Sequence, residues 1–274
     1  MSATLPLRRN PVVDILVRGW DNLALTRRLL TSIKANTDGV EYQVIYVDNG
    51  STLHLAAELM KDFPWVTFVR LPFNHGSVRA INLGLCHALS SPAPYVLLLD
   101  NDTEIPAGDK TWLTRFVAYL ADETVGAAGA VSNYVSGYQF CEALPPTYTR
   151  EWQDGEERGL KEQDDQPVLV SFAMLLRKSA VQQLGFFDER FEPGMGEDYD
   201  YTLRLREAGY RCVLAPSVWV HHKGSQTFKR FGFDELLAQS MGKLIAKWGV
   251  DGLAKLGLQV EQAAPAPEAQ AVAA

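Results

Sequence analysis

The chain is poor in cysteine. Cys86, Cys141 and Cys212 are its only three in 274 residues, and none stands in a Cys-x-x-Cys pair. An odd, scattered set indicates neither a disulfide framework nor a thiolate zinc site, and points to reduced thiols. Long apolar runs are also missing: nothing approaches the ~18 consecutive apolar residues of a membrane-spanning helix. Residues 1–10 carry Arg8 and Arg9 with no apolar segment behind them, unlike a secretory leader. Basic charge is in deficit, 26 Lys and Arg against 33 Asp and Glu, for a net charge of −7. That balance argues against a general nucleic-acid or anionic-membrane binder and leaves room only for a local basic pocket. The expectation is a cytoplasmic protein, at most peripheral at the inner membrane, with no nucleic-acid partner and no transmembrane segment.

A hydrophobic share of 47% is enough for a substantial core. Apolar runs at 12–17, 42–47, 66–71 and 95–99 read as buried strands. Between them, helical spacing is expected over 22–36, 53–62 and 77–89. Strand and helix alternating through short connections predict an α/β fold, a mostly parallel sheet flanked by helices. In such a sheet, ligands lie at the carboxyl ends of the strands. Further on, a helix is expected over 110–120, strands over 125–131 and 168–176, and helices over 178–184 and 198–208. Short strands at 211–214 and 218–220 precede one or two amphipathic helices over 233–256. Residues 138–166 are polar and aperiodic, which predicts a mobile loop. Residues 263–274, mostly Ala, Pro, Glu and Gln, read as a disordered tail behind a single domain over 1–262.

Five segments carry candidate chemistry. Asp100-Asn101-Asp102 follows the apolar run Tyr95-Val96-Leu97-Leu98-Leu99. Residues two apart on a strand point the same way, so both carboxylates can converge on a divalent cation; alternatively they are turn formers at a strand end. Asp48-Asn49-Gly50-Ser51 ends the second strand. Its carboxylate can accept from a base N–H or a ribose hydroxyl, or the Asn-Gly can simply make a turn. Asn74-His75-Gly76-Ser77, with Arg79 and Asn82, can set a glycine turn and a helix N-terminus near phosphate, or be an ordinary helix start. Glu197-Asp198-Tyr199-Asp200 opens a helix with more carboxylates than capping needs, so one can serve as a general base. His221-His222 follows Val218-Trp219-Val220; neighbours on a strand face opposite ways, so one imidazole can reach the carboxylates.

In this order and spacing, the set resembles the family-2 glycosyltransferases of GT-A fold, nearest to the bacterial rhamnosyltransferase-like branch. Gly185-Phe186-Phe187-Asp188 belongs to the same pattern. The resemblance covers residues 11–230 and is specific as a set, each motif being weak alone. It implies inverting transfer of a sugar from a nucleotide-diphosphate donor (a UDP-, dTDP- or GDP-sugar) to a saccharide or glycoconjugate acceptor, with Mn²⁺ or Mg²⁺ as cofactor, in polysaccharide or glycoconjugate biosynthesis. By position, it implies that Asp48 contacts the base or ribose and that Asp100 touches the ribose or helps hold the metal. Asn101, Arg79 and Asn82 fall on its donor-binding side. Asp102 and His221 become metal ligands, with His222 as the fallback, and Asp198 the catalytic base. Glu197 and Trp152 are the expected acceptor contacts, Trp152 by stacking on a sugar ring.

Departures accompany the resemblance. The family's usual Tyr-Asn after the first strand is Trp20-Asp21 here. Arg18 and Gly19 stand where apolar or small residues are typical. Two other readings fit strand-end carboxylates. A nucleotidyltransferase would carry a Gly- and Lys-rich loop where this chain has Arg18-Gly19-Trp20-Asp21. A non-catalytic nucleotide-sugar-binding module would not need Asp102, Asp198 and a histidine together.

Overall fold

The computed structural model describes residues 12–135, 137–142, 168–224 and 233–254. Trp152, most of the expected 138–166 loop and the 263–274 tail lie outside the described residues.

The chain runs β1 (Val13–Gly19), α1 (Leu23–Asn36), β2 (Tyr42–Asp48), α2 (Leu53–Asp62), β3 (Thr67–Arg70), α3 (Ser77–Leu89) and β4 (Tyr95–Asp100). It continues through β5 (Thr103–Glu104), α4 (Trp112–Ala118), β6 (Val125–Val131), β7 (Ala173–Arg177) and α5 (Lys178–Leu184). Last come α6 (Glu197–Glu207), β8 (Arg211–Trp219), β9 (His221–His222) and α7 (Phe233–Ala254). The expected strands at 211–214 and 218–220 are one strand, β8, whose pairing with β6 shifts register between Ala215 and Trp219. A backbone break at Gly249, with φ +68°, divides α7.

Seven strands form one sheet in the order β3-β2-β1-β4-β7-β6-β8. Alternation along the strands builds a core on each face. Val13, Ile15 and Val17 of β1 pack with Leu29, Leu30 and Ile33 of α1 and with Trp112 and Phe116 of α4. Leu16 faces the other way, towards Val78, Ile81 and Leu85 of α3. Tyr201 and Leu205 of α6 and Leu244 and Leu253 of α7 complete that second core. Each fully buried aliphatic side chain contributes about 1.5–3 kcal/mol, so a chain with this pattern has little freedom to choose another register.

The sheet is parallel except for β7, which runs antiparallel to both β4 and β6. This reversal matters for the site. The start of β7, rather than its end, lies beside the carboxyl end of β4, and the Asp100 N–H donates to the Phe172 carbonyl at 2.9 Å. A second, two-stranded sheet pairs β5 with β9 and brings the chain after β8 back against the segment after β4.

Candidate active site

The carboxyl ends of β1 and β4, the start of α6 and the β5–β9 ribbon enclose a cavity of about 980 Å³. Arg18, Asp100, Asp102, Glu197, Asp198 and His222 are among its lining residues.

Asp100, Asp102 and His222 each offer one ligand atom, and these atoms lie within 4.8 Å of one another. The ribbon explains the choice of histidine. Thr103 pairs with His222 and Glu104 with His221, and the Lys223 N–H donates to the Asp102 carbonyl at 3.0 Å. Alternation then turns His222 inward and leaves His221 exposed beside Trp219. Of the two expected histidines, His222, the fallback, is the one beside the carboxylates: its Nε2 lies 3.2 Å from Asp102 Oδ1.

The imidazole is held on several sides. Asn133 brackets its backbone, accepting from the His222 N–H at 2.9 Å and donating to the His222 carbonyl at 3.1 Å. Phe172 stacks on the ring at 5.1 Å between centroids. Nδ1 lies 2.7 Å from the Tyr134 carbonyl, which fixes it as the protonated nitrogen and leaves Nε2 towards Asp102. Burial opposes the charge on His222, but the Asp102 hydrogen bond and the charges of Asp102 and Asp100 outweigh it and raise its pKa. A proton on Nε2, beside the carboxylates, is thus favoured. Two carboxylates and an imidazole this close together could hold a metal ion.

Opposite them stand the first residues of α6, entered through Gly196 at φ +89°. The carboxylates here have separate fates. Asp200 is fully buried and bonded to Arg204 Nε at 3.0 Å and Trp248 Nε1 at 2.9 Å, which makes it structural. Asp198 accepts from the Ser171 N–H at 3.2 Å and the Tyr199 N–H at 2.8 Å. Burial raises its pKa, while these backbone bonds and Arg18 oppose the rise. Glu197 is buried with Oε2 unpartnered, and burial followed by the Asp198 charge pushes it up to about 8. Burial thus pushes both adjacent carboxyls upward, and only Asp198 has backbone N–H groups that oppose the rise on both of its oxygens.

The other expected site residues have partners within the chain. The Asp48 carboxylate accepts from the Ser51 N–H at 2.9 Å and pairs with Arg70, away from the cavity lining. Asn101 lines the cavity and donates to Thr26 Oγ1 at 3.0 Å. Arg79, expected near phosphate, pairs with Glu189 at 3.0 Å. The N-terminus of α3 is taken by this chain's own Glu192, whose Oε1 accepts from the Arg79 N–H at 2.7 Å. Asn82 clamps the Phe187 backbone, bonding its carbonyl and its N–H at 2.9 Å each. Arg79 and Asn82 thus hold the loop leading to α6 and do not line the cavity.

Four site residues escaped the sequence reading as site residues: Arg18, Asn133, Ser171 and Phe172. Arg18 left a signal, a charge at the end of an apolar strand. Asn133 lies just past the carboxyl end of β6, where ligands are expected. Ser171 and Phe172 left none, because their position depends on the reversal of β7.

The profile described as glycosyl transferase family 2 matches residues 21–185. The chain belongs to that family. The match ends before α6, so the second wall of the cavity lies beyond it. Among curated relatives of this family-2 chain, the O-antigen biosynthesis protein RfbC of Myxococcus xanthus is 29% identical over 80% of this chain and 18% of its own length. An N-acetylglucosaminyl-diphospho-decaprenol L-rhamnosyltransferase of Mycobacterium tuberculosis is 28% identical over 79% of this chain and 77% of its own. The chain spans less than half the length of several relatives, from 18% to 43%. The solved structure of mannosyltransferase PcManGT from Pyrobaculum calidifontis, in complex with GDP-Man and Mn2+, superposes with a TM-score of 0.63 at 19% identity, covering 91% of this chain and 71% of that one. GalNAc-T7 with UDP, GalNAc and Mn2+ gives 0.61 at 14% identity, covering 88% of this chain and 50% of that one. The fold is that of GT-A glycosyltransferases. Among the described residues, no helix is long and apolar enough to cross a membrane.

Proposed function

We propose that this chain is an inverting, metal-dependent glycosyltransferase that moves a sugar from a nucleoside-diphosphate donor to an acceptor hydroxyl in the making of a polysaccharide or glycoconjugate. The observation that carries the reading is one cavity lined both by Asp100, Asp102 and His222 and by Glu197 and Asp198. A divalent cation, Mn²⁺ or Mg²⁺, held by Asp100, Asp102 and His222 would offset the charge that gathers on a departing diphosphate.

The chain's own residues do the rest. Asp198, oriented by two backbone N–H groups, takes the proton of the attacking hydroxyl. Glu197, with a free oxygen and a raised pKa, donates a hydrogen bond to the acceptor and orients it. A single base working from the acceptor side fits direct displacement, which inverts the anomeric centre. The relatives named for O-antigen biosynthesis and rhamnosyl transfer support a saccharide or glycolipid acceptor. The GDP-Man and UDP in the two GT-A structures support a nucleoside-diphosphate sugar as donor, and UDP- or GDP-sugars among the expected ones.

The test is calorimetric titration of nucleoside diphosphates with Mn²⁺ and with chelator, followed by transfer assays. One nucleotide is expected to bind with Mn²⁺ and to weaken in Asp102→Asn. Asp198→Asn is expected to keep that binding and lose ~10²–10⁴-fold in kcat. Binding indifferent to metal and to Asp102→Asn, or full turnover without Asp198, overturns the reading.

A further inference from the structure

We infer that Arg18 is a positioning residue for this reaction: its guanidinium ties the metal-side carboxylate Asp100 to the base-side carboxylate Asp198. The inference rests on the function proposed above and adds a residue to it.

Strand β1 is otherwise apolar at this end, with Leu16 and Val17 buried. Ending such a strand in a guanidinium only 15% exposed is unfavourable unless the charge is matched. Arg18 is matched on both sides of the site. Parallel pairing sets it beside Asp100, and Nη2 lies 2.7 Å from Asp100 Oδ1. The same nitrogen reaches Ser171 Oγ at 3.5 Å, and the Ser171 N–H donates to Asp198 Oδ2 at 3.2 Å. One side chain therefore connects the ends of β1 and β4 with Ser171, just before β7, and through Ser171 with the start of α6. It is the sole Arg or Lys among the described residues lining the cavity, facing Asp100, Asp102, Glu192, Glu197 and Asp198.

A purely architectural arginine looks different in this fold. Arg204 spends all three nitrogens, Nε on Asp200, Nη1 on the Leu184 carbonyl and Nη2 on the Phe186 carbonyl. Arg177 bonds three carbonyls through Nε and Nη2. Arg18 uses Nη2 alone, and its other nitrogens are not among the buried unpaired atoms. Its contacts serve the spacing of two functional carboxylates rather than the closure of a core. The positive charge also lowers the pKa of Asp100, Glu197 and Asp198, against their burial.

The experiment compares wild type with Arg18→Met, Arg18→Gln and Arg18→Lys. Mn²⁺ binding is read by electron paramagnetic resonance, alongside steady-state kinetics and melting temperature. Both neutral variants are expected to lose on the order of 10²-fold in kcat through misplacement of the reacting groups, with donor KM within about threefold. Mn²⁺ is expected to bind them no more weakly than wild type, since Asp102 and His222 are intact and a competing cation is gone. Arg18→Lys, which keeps the charge, is expected to recover part of the rate. Should Arg18→Met fail to fold, Arg18→Gln, polar and smaller, carries the comparison. An active wild type with unchanged kcat in the neutral variants overturns the inference and leaves the function standing, as does equal loss in Arg18→Lys and Arg18→Met. A wild type that neither binds Mn²⁺ nor transfers sugar overturns the proposed function, and this inference falls with it.

Discussion

The two ends of β1 solve the same problem in opposite ways. Near its start, Asp14 is fully buried and meets Lys178, which is also buried. Gln43 Nε2 and Ser91 Oγ donate to the same carboxylate at 2.6 and 3.0 Å, and Lys178 also reaches the Ala88 and Ser91 carbonyls. Charge is balanced and the donors are spent. At the other end, four residues on, Arg18 is the only Arg or Lys among the described residues lining the cavity, beside five carboxylates, and Glu192 and Glu197 each keep an unpartnered oxygen. The closed network can only hold the sheet to α3 and α5. The open one leaves carboxylates free for the cation and substrate of the proposed reaction. A protein tolerates such an unsatisfied cluster when stability is supplied elsewhere.

The comparison breaks if the closed network proves dispensable. Lys178→Met is expected to destabilise the fold by about 3–5 kcal/mol, because Asp14 is left buried without its partner. Urea denaturation checks it, and donor binding by the fraction still folded should be unchanged. A loss below about 1 kcal/mol would make the pair no more than a surface-grade bridge.

Next in size is Lys247, which joins α7 to the loop before α6 and to α6 itself by bridging Asp188 at 2.7 Å and Asp200 at 2.6 Å. Losing these charge-assisted bonds in Lys247→Met is expected to cost about 1.5–3 kcal/mol. Arg190 first, and then Lys247, hold the Asp188 carboxyl below the usual carboxylate range. The stability it contributes is present above the unfolded value and lost as pH falls through the depressed folded one. Melting curves below about pH 4 should therefore be flatter in Lys247→Met than in wild type; parallel curves would detach Asp188 from the clamp.

A change confined to pH dependence sharpens the contrast from the open end. Burial and Asp198 push Glu197 from 4.5 up to about 8, so the folded state keeps a proton that the unfolded chain has released. That contribution is full below the unfolded value and lost as pH rises through the folded one. Glu197→Gln is expected to flatten the decline in melting temperature between about pH 5 and pH 8. An unchanged slope would mean that Glu197 is ionised in the fold.

Much of the fold is legible because burial writes itself into periodicity. The runs ending at Asp48 and Asp100 are strands, and the acidic start at Glu197 opens a helix. Asp100 and Asp102 reach one site because a strand end carries both there, and Glu197 and Asp198 share its cavity. The roles of neighbours were harder to read. Nothing local distinguishes His221 from His222, since the choice follows from the register of a two-residue ribbon with Thr103 and Glu104. Arg79 and Asn82 look like ligands for phosphate until Glu189, Glu192 and the Phe187 backbone, more than a hundred residues away, take them up.

By itself, then, the sequence determined the alternation of elements, the faces each buries, and the acidic residues delivered to strand and helix ends. These follow from short-range sterics and from the removal of apolar surface from water, which act on neighbours in the chain. Tertiary structure alone decided the reversal of β7, the inward turn of His222, the sorting of Asp200 from Asp198, and the place of Arg18 between two carboxylates. Each of those depends on long-range pairing register, and on electrostatic partners that come within a few ångströms only after the sheet has formed.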